Sequence, residues 1–112
     1  MADTIRVGAG CLNQLPLDWS GNRRRILASI AQAREAHVSV LCLPELAITG
    51  YGCEDQFLSH EVAERSWESL VEIAKHTKGM VVAVGLPAWV KNAIYNTVAV
   101  LVDGEIKGLV AK

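Results

Sequence analysis

The chain has no excess of either charge. Eleven basic residues stand against twelve acidic ones, the formal net charge is -1 and the pI is about 6.3. That balance supplies no field to draw nucleic acid or an anionic membrane surface. The only basic run, Arg23, Arg24 and Arg25, reads as a solvated helix face. No apolar stretch is long enough to cross a bilayer, and "MADTIRVGAG" lacks the basic region and long apolar core of a secretion signal. There are three cysteines, an odd number without metal-ligand spacing. They read as free thiols, with Cys11 and Cys42 in apolar strand-like runs and Cys53 in an accessible loop. That pattern predicts a reducing cytoplasmic compartment. The three histidines are scattered and read as helix-end or surface residues, so no metal site is expected. Internal repeats, low-complexity tracts and glycine-rich phosphate loops are also missing.

What is present is a core. Hydrophobic residues make up 51% of the 112 residues, enough for one domain. "IRVGAGCLN" (Ile5–Asn13) predicts a buried strand, and "QLPLDWSGN" a loop. A helix is expected from about Asn22 to Ala36, with Ile26, Ile30, Ala33 and His37 as its apolar stripe. "VSVLCL" (Val38–Leu43) predicts a second strand buried on both faces, ended by Pro44. A short helical turn is expected near Gln56–Leu58. The next helix has Ser59 as N-cap, Ala63, Trp67, Leu70 and Ala74 as its apolar face, and Gly79 just past its end. "MVVAVGL" reads as a third strand and "PAWVKNA" as a turn. Strands at Ile94–Val102 and Glu105–Lys112 flank the hairpin signal Asp103–Gly104. The order predicts an α/β layered domain with a mixed sheet, parallel crossovers first and an antiparallel pair afterwards.

Glu45 follows the carboxyl end of the second strand, where ligands bind in open α/β sheets. Position alone leaves two readings: a site carboxylate, or a capping or loop acid paired with a base. Lys112 is read either as an exposed strand end or as a paired lysine. Period-two counting puts it on the face of Ile106, Gly108 and Val110. A carboxylate and an ammonium in one pocket stabilise each other's charged forms, the first suited to proton transfer and the second to an oxyanion. Tyr51, in "TGYG", and Asn96, within a strand that disfavours asparagine, are candidate site-lining residues. Their plainer readings are a half-buried loop tyrosine and an edge-strand polar residue. Gly85, Pro87 and Trp89 read as architectural, and Trp19 and Trp67 as core or interface packing.

The stretch "LPELAITGYGCED", with "RVGAGCLNQLPLDWSGN", "VAVGLPA" and "YNTVAVLVDGEIKGLVAK", resembles the nitrilase superfamily, the carbon–nitrogen hydrolases, over essentially the whole chain. "TGYGCEDQF" and "SWESL" are most similar to the glutaminase domain of glutamine-dependent NAD synthetases. The resemblance implies a four-layer α-β-β-α sandwich, of which residues 1–112 form the N-terminal part, truncated before the nucleophile. It implies a Glu–Lys–Cys triad with Glu45 as general base and Lys112 holding the intermediate. The nucleophilic cysteine matches none of Cys11, Cys42 or Cys53 and is expected beyond the chain. The implied activity is glutamine hydrolysis feeding ammonia to NAD synthesis from deamido-NAD, in a homo-oligomer. ATP and Mg²⁺ are expected only for a missing synthetase domain. The fragment alone is expected to be inactive. The alternatives are another carbon–nitrogen hydrolase acting on a different amide or nitrile, or a non-catalytic truncated interaction module.

Overall fold

Short apolar runs separated by two amphipathic segments fold into one sheet with a helical layer, seen here in a computed structural model that describes residues 3–112. Met1 and Ala2, the start of the segment read for targeting features, lie outside the described residues. The elements are β1 (Val7–Ala9), α1 (Trp19–Glu35), β2 (Val40–Cys42), a 3-10 turn (Glu54–Leu58), α2 (His60–Ala74), β3 (Val81–Val90), β4 (Ala93–Val102) and β5 (Glu105–Ala111). The five strands lie in sequence order, β1, β2 and β3 parallel, β4 and β5 antiparallel. The predicted mixed sheet is therefore observed. Both crossover helices cover the same face. Ile26 and Ile30 of α1 and Leu70 and Ile73 of α2 pack against Leu41, Val82, Val84, Leu86, Ala99 and Leu101. Among the described residues no helix is long and apolar enough to cross a membrane.

Several local expectations are corrected. Helix α1 begins at Trp19, three residues early, because the Asp18 side chain accepts from the Gly21 N–H at 3.2 Å and caps it. His37 is not in the apolar stripe; it lies past the helix end with φ +59° and is exposed. Ser59 stands at the N-cap of α2 without making a side-chain cap bond. Helix α2 is also rotated from its predicted face. Val62, Ser66, Ser69, Leu70, Ile73 and Ala74 are buried, and Trp67 is 45% exposed. The two serines are buried, and Ser66 Oγ donates to the Val62 carbonyl at 2.7 Å.

The first two strands are shorter than predicted and not buried on both faces. β1 is an edge strand with Val7 66% exposed, and in β2 Leu41 is buried while Cys42 is exposed. The helices cover one face only, so alternate side chains point away from the core. β3 instead runs on through the expected turn to Val90. A two-residue turn at Lys91–Asn92, with φ of 48° and 66°, joins it to β4. Pro87 is tolerated inside β3 because β2 stops at Cys42, opposite Ala83, so no strand on that side needs its missing N–H. The Asp103–Gly104 hairpin forms as expected, with φ of 50° and 88°.

Candidate active site

Glu45 stands just past β2 because Pro44 ends the ladder and the chain turns into the compact segment Leu46–Gly50. This turn is seated directly on β3. Ile48 N–H donates to the Gly85 carbonyl at 3.2 Å. A side chain at Gly85 would put its Cβ 2.3 Å from Leu46 N and 3.0 Å from Glu45 Cα, so only glycine permits this approach. β2, β3 and β5 run in the same direction, which brings Glu45 and Lys112 to the carboxyl ends of their strands. Lys112 N–H donates to the Asn96 carbonyl at 2.9 Å, so the β4–β5 ladder holds these two side by side.

The residue pattern of β5 has one irregularity that decides where Lys112 points. Val100 is opposite Gly108 and Leu101 opposite Ile106, leaving Lys107 as the extra residue of a bulge. Ile106 therefore faces the helices with Leu101. Lys112, Val110 and Gly108 share the other face with Asn96, Val98 and Val100. The period-two count is corrected on Ile106 and holds for Gly108 and Val110.

All four candidate residues meet. Lys112 Nζ donates to Glu45 Oε1 at 3.0 Å, across 67 positions of sequence. Asn96 Nδ2 also donates to Oε1, and the Tyr51 hydroxyl donates to Oε2. These bonds, Tyr51 first, then Lys112 and Asn96, hold the Glu45 carboxyl down to about 2. The same bond raises the Tyr51 phenol and keeps it protonated. Glu45 is half-buried, and Lys112 and Tyr51 are exposed. Glu45, Asn96 and Lys112 border a cleft of about 330 Å³, lined also by Leu43, Pro44, Gly85, Val98 and Val110. Chemically this is an ionised carboxylate with an ammonium beside it, in a mostly apolar cleft. It can exchange a proton and balance a developing anion.

The cysteines are distributed opposite to expectation. Cys11 and Cys42 are exposed and Cys53 is buried. Cys53 lies against the Thr49 and Gly50 carbonyls, and burial pushes its thiol up. None of the three lines the Glu45 cleft. Sequence reasoning missed the polar side chains behind the turn, Gln14, Asn22 and Arg25. Asn22 is fully buried, and the only signal for it was an asparagine on the apolar side of a helix start.

Fold and site together define a mixed α/β layer of the nitrilase type with a carboxylate–ammonium centre at its strand ends. The chain belongs to the carbon–nitrogen hydrolase family, whose pattern it matches over residues 6–112. It is 44% identical over 108 residues to a glutamine-dependent NAD(+) synthetase of Saccharomyces cerevisiae, covering 95% of this chain and 15% of that protein. The crystal structure of a glutamine-dependent NAD(+) synthetase from Cytophaga hutchinsonii superposes with a TM-score of 0.96 at 46% identity, covering 98% of this chain and 19% of that one. A nitrilase-superfamily amidase from Nesterenkonia AN1 superposes with a TM-score of 0.81 at 25% identity, covering 96% of this chain and 42% of that one. The chain thus spans less than a fifth of the two synthetases.

Proposed function

We propose that these residues form the N-terminal, glutamate–lysine part of a glutaminase site. In a longer enzyme, that site releases ammonia for NAD synthesis from deamido-NAD. The observation that carries the reading is the convergence of Lys112, Asn96 and Tyr51 on the Glu45 carboxylate. The synthetase relatives support glutamine as the amide.

In this reading glutamine enters the cleft with its side-chain amide against Glu45 and Lys112. Glu45 takes the proton of a cysteine thiol supplied by the rest of the longer chain. The sulfur adds to the amide carbonyl, and the Lys112 ammonium balances the oxyanion. Glu45 returns the proton to the amine, the C–N bond breaks, and ammonia leaves a thioester. Water, deprotonated by Glu45, then cleaves the thioester to glutamate and thiol. Tyr51 and Asn96 orient the carboxylate throughout. A carboxylate held near 2 is a weak base. Filling the cleft with substrate removes water from Glu45 and raises its proton affinity.

ATP and Mg²⁺ belong in this proposal to the synthetase domain. Among the described residues no group of three or more His, Cys, Asp or Glu is arranged to hold a metal, and no step above runs through one. The longer enzyme is proposed to be a cytoplasmic homo-oligomer, and the present residues alone to be inactive. The amidase similarity favours one second reading, a carbon–nitrogen hydrolase for another amide. Glu45→Gln in the full-length enzyme separates the possibilities. Glutamine-supported NAD synthesis is expected to vanish while ammonia-supported synthesis persists. Loss of both would remove the assigned role, and hydrolysis of other amides in preference to glutamine would favour the second reading.

A further inference from the structure

Glu45 and Tyr51 sit at the two ends of the turn Leu46–Gly50, so the turn's conformation sets the distance between carboxylate and phenol. β3 holds that turn on one side through the Ile48–Gly85 bond. On the other side it is held by side chains outside the cleft. Asn22, in the first turn of α1, is 0% exposed. Its Oδ1 accepts from Leu15 N–H at 3.0 Å and from Arg25 Nη2 at 2.8 Å. Its Nδ2 donates to the Leu15 carbonyl at 2.8 Å and to the Ile48 carbonyl at 3.1 Å. Both donor positions and both acceptor positions of the amide are used.

Gln14 extends the same network. Its Nε2 donates to the Ala47 carbonyl at 2.7 Å and to the Asn22 carbonyl at 3.0 Å, while its Oε1 accepts from Arg25 Nε at 2.8 Å. Arg25 is anchored in turn on Asp18 at 3.2 Å. Leu17 N–H donates to the Thr49 carbonyl at 2.8 Å, and Gly50 packs directly on the Leu15 backbone. Three consecutive carbonyls of the turn, those of Ala47, Ile48 and Thr49, are therefore held from α1 and the 14–17 segment.

We infer that Asn22, with Gln14 as its relay, is a positioning residue of the Glu45 site, acting through the Leu46–Gly50 turn to hold the Tyr51 hydroxyl on the carboxylate. Ile48 and Ala47 are apolar residues whose carbonyls face inward. Without Asn22 and Gln14 these carbonyls would be buried without partners, and the turn would relax toward other donors. The inference rests on the proposed role of Glu45. It adds that the precision of the site is set from the helical layer, on the opposite side of the turn from the substrate cleft.

The test is a double-mutant cycle on glutamine-supported turnover in the full-length enzyme, using Asn22→Ala, Tyr51→Phe and the pair, with thermal melts as the check on folding. Each single change is expected to lower kcat by about tenfold or more, as misplacement of a reacting group does. The pair should fall little below the weaker single variant, because both changes release the same bond. A merely structural Asn22 would give effects that multiply, and that outcome overturns the inference. If Asn22→Ala does not fold, Gln14→Met, which keeps the side-chain length and removes the Ala47 bond, carries the same cycle with the same two outcomes. Glu45→Gln is run alongside. Should it retain glutamine-supported turnover, the functional reading itself has failed, whereas a dead Glu45→Gln with multiplying Asn22 and Tyr51 effects rejects only the positioning role.

Discussion

Glu45 shows how three weak partners make one firmly ionised group. Its ion pair with Lys112 is largely exposed and contributes little by itself. The Tyr51 hydroxyl is the largest of the lowering influences, ahead of Lys112 and Asn96. The carboxyl is held at about 2 in the fold against about 4.3 in an unfolded chain. A depressed folded value means stability that is present above the unfolded value and lost as pH falls toward the folded one. Lowering the pH from about 5 to about 2 should therefore reduce the melting temperature of the wild-type enzyme more than that of Glu45→Gln, which has no carboxyl to titrate. An equal acid response in the two proteins would show that the carboxylate is not held in this way.

At the scale of elements, the site depends on a turn lying directly on a strand. Gly85 of β3 is the contact point, with space for hydrogen only. Gly85→Ala would lift the Leu46–Gly50 turn from β3 and strain the Ile48–Gly85 bond. The expected cost is about 1–3 kcal/mol, as for overpacked interiors, together with loss of the proposed glutamine hydrolysis in the full-length protein. Chemical denaturation with a parallel activity assay checks both. A fully active, equally stable Gly85→Ala protein would mean that the turn has room to move. The β5 bulge is the second element-level device. By taking up Lys107 it lets Ile106 fill the core and still delivers Lys112 to the Asn96 side.

For the whole molecule, the helices on one face leave the other face of the sheet without a covering layer among the described residues. Val7 and Val110 are 66% and 57% exposed, and Cys42 lies on the same face. The edges of β1 and β5 have no partner strand within the described residues. Apolar faces and open edges of this kind drive association. Residues 1–112 expressed alone are expected to aggregate or to melt without cooperativity. A monodisperse monomer with a sharp thermal transition, seen by light scattering and calorimetry, would contradict that.

The order of elements and the hairpin at Asp103–Gly104 were legible in the chain itself, and Glu45, Lys112, Tyr51 and Asn96 stood out as candidates with two readings each, whereas their meeting across up to 67 positions needed the fold. The legible signals are local: an alternation, a Pro44 stop, a pair of turn residues, a short motif around the glutamate. Other features needed the assembled fold. Helix α2 buries a face that holds Ser66 and Ser69 and leaves Trp67 45% exposed, which its apolar pattern did not indicate. The side on which Ile106 lies depended on a bulge. Cys42 is exposed because no helix covers its face, and Cys53 is buried because its loop folds inward. The buried Asn22 satisfies carbonyls 7 and 26 positions away in the chain. Propensity and periodicity act over a few residues, whereas burial and hydrogen-bond pairing are decided by neighbours brought together from distant positions.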